Sequence, residues 1–454
     1  MPIKINEFYK RLAGSSTRTQ NIVKHIGWST LFKGGSILAN FLLVPISIDY
    51  LGQENYGVWL TLSSFIGWFT VLDIGLGHGL RNRFAEAKAN GEIHLAKVYV
   101  SIAYITMSVI CVGVIILFIF GNFLIDWSTI FNTSKILGKE LSFLMPILFT
   151  FFTLQLVAKL ILTIYTADQL PSIQGKIEFF IQTLLLLGIW LLTKTSGNSL
   201  MIFGALYTGL PIILLISFNF IAFNGRYKQF KPELKDWRYD KLKDITSLGF
   251  IFFIIQVANI VLLTTDNLII TNIFGPEEVV PYNIALKYFS MLLMIHSLIT
   301  TPYWSSFTEA YTLKDFDWIK KSVKNIQKIW LSLTVILVLM LFLSNWFYEL
   351  WIGNSIKIPL SLSASMALYI AISTFQSIYF MLINATGKIR MQLIISLITL
   401  CINIPLSILF AKNLGLGLAG IILATCVSSL MSAVIGFVQY QKIIKEKAKG
   451  VWFK

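Results

Sequence analysis

Five charged residues interrupt long apolar runs of this chain: Lys33, Asp73, Lys159, Asp266 and Lys287, with His78 and His296 in similar settings. A charge at the centre of a membrane helix costs about 2.5–3.5 kcal/mol on insertion scales, so such a side chain is kept for a partner or a polar pathway. At 1.5 Å of rise per residue, Lys33, Asp73 and Lys159 lie about 10 Å in from one membrane face, and Asp266 and Lys287 about 10 Å in from the other. The charges thus form two layers. The first suits an anionic headgroup entering from its own side, with lysine as the point-charge partner of a phosphate and Arg81 at the same mouth. The second is expected to be an ion pair of Asp266 with Lys287, since an unpaired charge at that depth carries the full cost. Blander readings compete: Lys33 and Lys159 are near enough to the interface to snorkel along their alkyl stems. Asp73 can neutralise Lys33, and His296 can be a packing residue.

Other chemistry fails on spacing. Gly75, Gly77 and Gly79 have no Lys-Ser/Thr after them and no strand before them, so they are not a phosphate loop; close helix packing or a flexible helix end is the favoured reading. No His/Cys/carboxylate cluster has metal-ligand spacing, and no cofactor is expected beyond coupling to protons or sodium, which stays open. Cys111, Cys401 and Cys426 are an odd number, each inside an apolar run, which does not support a disulfide framework. A membrane glycan polymerase or ligase needs acids, bases or arginines in a sizeable outer loop. The segments 122–140 and 346–360 hold no histidine and few charges. An enzyme is not expected.

The elements that position these groups follow from composition. Of 454 residues 56% are hydrophobic and 13% charged, with a net charge of +15, where soluble proteins carry about 25% charged residues. This is a polytopic membrane protein, and soluble, secreted disulfide-rich and disordered classes are excluded. About 20 apolar residues cross a bilayer as helix. Apolar runs at 25–50, 56–80, 98–121, 141–165, 177–194, 199–223, 247–274, 280–304, 322–345, 361–385, 391–411 and 416–440 predict twelve transmembrane helices in an all-α fold. Residues 1–24 are polar and basic and show no secretory signal. With that segment inside, 29 of the 37 Lys and Arg fall on inner segments, and only Lys135, Lys139, Lys194, Lys357 and Lys412 fall outside. The positive-inside rule then sets both termini cytoplasmic. Topology and contact with lipid headgroups account for the basic balance, so no nucleic-acid partner is expected. Trp127, Trp346 and Trp351 read as an interfacial belt, and Glu86 and Glu309 as capping or solvated.

The two halves repeat at an offset of 223 residues: Leu51-Gly52-Gln53-Glu54 aligns with Phe274-Gly275-Pro276-Glu277, Phe84-Ala85-Glu86-Ala87 with Phe307-Thr308-Glu309-Ala310, and Gly121-Asn122-Phe123 with Ser344-Asn345-Trp346. The same offset makes His296 the counterpart of Asp73. Six helices per half is even, so the halves point the same way, as in transporters that rock two lobes around a central site. The expected organisation is a cytoplasmic segment (1–24), a six-helix lobe (25–223), a basic linker (224–246) read as a solvated loop, a second six-helix lobe (247–441) and a basic tail (442–454).

The second span begins Tyr56-Gly57-Val58-Trp59 after an LG turn and ends Asp73-Ile74-Gly75-Leu76-Gly77-His78-Gly79-Leu80-Arg81. These motifs, with Thr265-Asp266-Asn267-Leu268-Ile269-Ile270 before Phe274-Gly275, resemble the polysaccharide-transport branch, the O-antigen-type flippases, of the multidrug/oligosaccharidyl-lipid/polysaccharide (MOP) exporter superfamily. The resemblance implies a two-lobed, MATE-like transporter of the bacterial inner membrane. It would move an undecaprenyl-diphosphate-linked oligosaccharide outward by alternating access, working alongside the glycosyltransferases and glycan polymerase of its pathway. Under it Lys33, Lys159, Asp73, Arg81 and His296 line the substrate path. Two departures from the superfamily stand out. Twelve helices rather than fourteen disfavour the peptidoglycan-precursor member, and Lys33 stands where cation-coupled drug exporters typically place an acid. An ion-coupled drug or metabolite antiporter is the alternative.

Overall fold

A computed structural model describes residues 17–69, 76–168, 170–194, 197–246, 264–447 and 449–453. They are helical throughout apart from short connections: α1 (Thr17–Gly67), α2 (Leu76–Ala89), α3 (Ile93–Asn122), α4 (Trp127–Ile130), α5 (Lys135–Ala158), α6 (Leu160–Ala167), α7 (Pro171–Leu192), α8 (Leu200–Asn224), α9 (Tyr239–Thr246), α10 (264–274), α11 (Val279–Thr312), α12 (Phe316–Ile352), α13 (Leu360–Thr386), α14 (Arg390–Ile408) and α15 (Gly417–Ile444). Ten helices among the described residues are long and apolar enough to cross a membrane, where the sequence leads one to expect twelve. Two places account for the difference. The continuous α1 covers two expected spans, divided at Gly52, whose φ of 74° and ψ of 169° are non-helical and lie in the left-handed region that glycine tolerates. The seventh expected span, 247–274, is described only from residue 264.

By packing, the described residues fall into two compact units. The first takes those up to Gly52 and within Leu72–Ile125 and Glu140–Gly249; the second takes those within Gln53–Val71, Asp126–Lys139 and Phe250–Lys454. The second half of α1 and the α4 segment thus pack with the C-terminal half of the chain. In the first unit α2 lies against α3 and α6, and α7 against α8. In the second, α13 is the central helix, packed against α11, α12 and α15.

Two motif glycines owe their identity to close approaches. A Cβ at Gly57 would lie 1.8 Å from the carbonyl oxygen of Pro276, so the glycine of the Tyr-Gly-x-Trp motif is where the two repeat-related turns touch. A Cβ at Gly79 would meet the carbonyl of Ile245 at 2.2 Å. Both contacts are with backbone, which cannot rotate aside. Packing, rather than phosphate binding, is thus the role of Gly79; Gly75 lies outside the described residues.

The linker departs from its reading as a solvated loop. Tyr227 and Phe230 are each 1% exposed, and Phe230 meets Phe84 of α2 edge-on at a centroid distance of 5.0 Å. Lys97 of α3 bridges Glu233 at 2.6 Å and Asp236 at 3.1 Å. The Ser101 hydroxyl accepts from the Glu233 amide, and the Trp237 indole donates to Thr106. Two buried rings, Tyr227 and Phe230, the hydrogen bond of the exposed Trp237 and a lysine clamp fold residues 227–237 onto α2 and α3, because burying those two rings outweighs the freedom of a loop.

Trp127 is a second correction. The interfacial ring expected there is 1% exposed, held edge-on to Phe65 at 5.8 Å. Trp346, by contrast, is 62% exposed, as a belt residue should be.

Candidate functional site

On α1 the exposed Leu31, Leu38 and Leu42 fall on one stripe, within about 40° of one another at 100° per residue. Lys33, Ser36, Asn40 and Ser47 lie about 140–200° around the helix from Leu31. Lys33 is exposed although it sits on the face opposite the leucines. The leucine face suits hydrocarbon, whereas the opposite stripe is packed at Leu43, Val44 and Ser47 and open only at its Lys33 end.

Lys159 sits at a one-residue interruption between α5 and α6 and is likewise exposed. The side chain that acts on it electrostatically is Glu178 of α7. Glu178 accepts from Gln174 at 2.9 Å, and Gln174 in turn accepts from Thr166 at 2.8 Å. This polar row on α6 and α7 is absent from the sequence-based site. The signal was present as Thr166, Gln174 and Glu178 at spacings of eight and four residues. Arg81 is exposed on the first turns of α2. Asp73 lies outside the described residues, as does the side chain of His78.

At the basic end of the first unit Asp168 gathers three donors: it is bridged by Lys88, by Arg226 at 3.0 Å and by the Tyr227 hydroxyl at 3.1 Å. Burial alone would raise its pKa, but hydrogen bonding and charge from Lys88, then Tyr227 and Arg226, hold the carboxyl below its ordinary value. Glu233 is brought down to about 2 by hydrogen bonds from Lys235 and Lys97. These pairs organise the linker.

In the second unit the Asp266–Lys287 pair is not formed: no ion pair joins them among the described residues. Asp266, 2% exposed, instead accepts a 2.6 Å hydrogen bond from the Tyr282 hydroxyl, with Thr425, Tyr369 and Cys426 around it. The reason is angular. Lys287 is five residues after Tyr282 on α11, about 140° around the helix, so matched depth does not give a matched face. His296 is 3% exposed; its Nδ1 lies 3.3 Å from the Ser377 hydroxyl, and its Nε2 is buried with no hydrogen-bond partner among the described residues.

The non-basic end of the second unit holds a neutral polar seam that the sequence reading missed. The Thr61 and Thr271 hydroxyls, both on fully buried residues, are 2.7 Å apart. Asn267 donates to Ser64 at 2.8 Å and accepts from Asn283. Asn132 and Asn272 donate to the carbonyls of Thr271 and Ile130, and Gln53 to that of Glu277. The second half of α1 and the 126–139 segment are thereby stitched to α10. No group of three or more His, Cys, Asp or Glu able to hold a metal occurs among the described residues.

No family model matches the chain. It is 24% identical over 271 residues to a Salmonella typhi protein named for O-antigen transport, covering 59% of this chain and 61% of that protein. It is also 24% identical over 373 residues to a Yersinia pseudotuberculosis protein named for O-antigen export, covering 78% and 81% respectively. The fold is that of a multidrug resistance MATE family transporter of the MOP superfamily, solved in an inward-facing conformation, with a TM-score of 0.77, 14% identity and coverage of 91% and 95%. The chain is therefore an all-α, multi-pass membrane protein with the MATE-type fold. The curated relatives are named for O-antigen transport or export, and the fold is shared with a MATE transporter described as of the MOP superfamily.

Proposed function

We propose that the protein is a transporter that carries a glycan linked to an isoprenoid diphosphate, of the undecaprenyl type, across the bacterial inner membrane by alternating access of two six-helix lobes, 25–223 and 247–441. The observation that carries this reading is the placement of Lys33 on the polar stripe of α1, opposite its leucine stripe. A cation there meets a diphosphate on the polar side of the helix while the polyprenyl tail stays in lipid. Lys159 supplies a second cation beside the Thr166–Gln174–Glu178 row, whose hydroxyl, amide and carboxylate suit sugar hydroxyls. The names of the relatives support the substrate class. Both termini and the linker are on the cytoplasmic side in this reading. The Thr61–Thr271 seam is then the outer gate, a set of neutral hydrogen bonds that can open without separating charges.

The test is glycan export, or flipping of the diphosphate lipid in vesicles, by Lys33→Ala and Lys159→Ala together at verified membrane expression. Export is expected to fall at least tenfold, with the double Arg variant retaining more because the positive charge is kept. Normal export by the double Ala variant would mean that both lysines merely snorkel. Loss of drug efflux with glycan export intact would instead identify an antiporter.

A further inference from the structure

The longest span, α12, carries a row of lysines on its outer face. With Ile319, Val323, Ile326, Leu337 and Ser344 buried on one side of the helix, Lys321, Lys324 and Lys328 lie about 140–200° away from Ile319 at 100° per residue. Leu331, Val335, Leu339, Phe342 and Trp346 fall within about 120–200° of the same reference, and all five are exposed, between 56% and 80%. The lysines therefore continue the lipid-facing stripe. Lys328 is 18 residues from Trp346, about 27 Å along the axis, close to the roughly 30 Å thickness of a hydrocarbon core. With Trp346 at one interface, Lys328 is at the other, and Lys324 and Lys321 stand about 6 and 10 Å beyond it, at headgroup depth.

Among the described residues Arg83, Lys88, Lys97, Arg226, Lys235 and Lys241 bridge acids, while others, Lys314 and Lys445 of the second unit among them, do not; what sets the α12 lysines apart is their alignment on one lipid-facing stripe. On α12 only Lys320 bridges an acid, Asp317 at 2.9 Å; Lys321, Lys324 and Lys328 have no acid within ion-pair distance among the described residues. Three uncompensated cations in a line, at headgroup depth and on the lipid face, have an anionic partner supplied by the bilayer itself.

We infer that Lys321, Lys324 and Lys328 form a docking stripe for the phosphodiester headgroups of anionic phospholipids in the leaflet at that end of the second unit.

The experiment places p-benzoylphenylalanine at the exposed Asn325, between the lysines, in the full chain reconstituted in vesicles of phosphatidylcholine with one fifth radiolabelled phosphatidylglycerol. Juxtamembrane attraction corresponds to about five-fold per lysine at low salt, screened within about 10 Å at 0.1 M salt. Crosslinking to phosphatidylglycerol is expected to exceed its mole fraction several-fold and to weaken with salt. It should fall to the mole fraction in the triple Lys→Ala background and persist in the triple Lys→Arg background. Crosslinking at the bare mole fraction in the otherwise unaltered chain would overturn the inference, whatever the variants do. So would displacement of the lipid by a short oligonucleotide added at equal phosphate, which would identify the stripe as a site for soluble polyanions.

Discussion

The two units hold themselves together by different means. The first knits its basic end with charge: Asp168 between Lys88 and Arg226, and Lys97 between Glu233 and Asp236, fasten the linker to α2 and α3. The second uses hydroxyl, amide and carboxyl groups, Thr61 with Thr271, Ser64 with Asn267 and Tyr282 with Asp266, and leaves three lysines of α12 without acids among the described residues. Ion pairs with several partners resist separation, since removing one partner strands the others, whereas hydroxyl and amide bonds are worth about 1 kcal/mol each and can be exchanged singly. A segment meant to stay put suits the first arrangement. A seam meant to open suits the second.

The largest effect should come from locking the neutral seam. Oxidised Thr61→Cys/Thr271→Cys is expected to abolish export, with activity restored by reductant; export unchanged under verified crosslinking would show that the seam never parts. In the charged unit, Asp168→Ala should cost about 2 kcal/mol in thermal unfolding, below the value for a fully buried pair because Lys88 and Arg226 are partly solvated. The depressed carboxylate fixes the sign with pH: its contribution is present above the ordinary carboxyl value and is lost as pH falls through the lowered one. Acidification from pH 5 to 3 should therefore lower the melting temperature of the unaltered chain more than that of Asp168→Asn. Tyr282→Phe, which removes one of the two side-chain donors of Asp266 and leaves Thr425, should cost about 1 kcal/mol. The smallest effect belongs to the triple Lys→Ala variant of α12, expected within about 0.5 kcal/mol of the unaltered chain in neutral detergent. A larger loss there would mean that the lysines hold the helix rather than the bilayer.

Rise along a helix follows directly from residue spacing; azimuth does not. The expected depths of Asp266 and Lys287 match, yet the two do not pair, and only a helix wheel anchored to known packing separates them. For α1 the opposition of Leu31, Leu38 and Leu42 to Lys33, Ser36 and Asn40 could have been read directly, since polar and apolar residues there follow the helical period. The linker misled because its charges dominate its composition, while Tyr227, Phe230 and Trp237 decide its structure. Trp127 misled similarly: a tryptophan near a span end is read as interfacial until Phe65 is seen beside it. Of the three glycines at 75–79, Gly79 is a packing residue, and Gly57 is a second close approach that the sequence does not announce; the surfaces they meet, Ile245 and Pro276, lie 166 and 219 residues further along the chain and leave no local trace.

A docked linker also restricts what can happen to the gene. Surface loops are where insertions and deletions usually accumulate, and a stretch between two halves of a duplicated chain would be the first place to look for them. Here residues 227–237 are threaded between a ring on α2 and hydroxyls on α3, so a reporter domain or epitope spliced into them would undo the first unit rather than decorate it. Length variation among descendants of this chain should avoid that stretch.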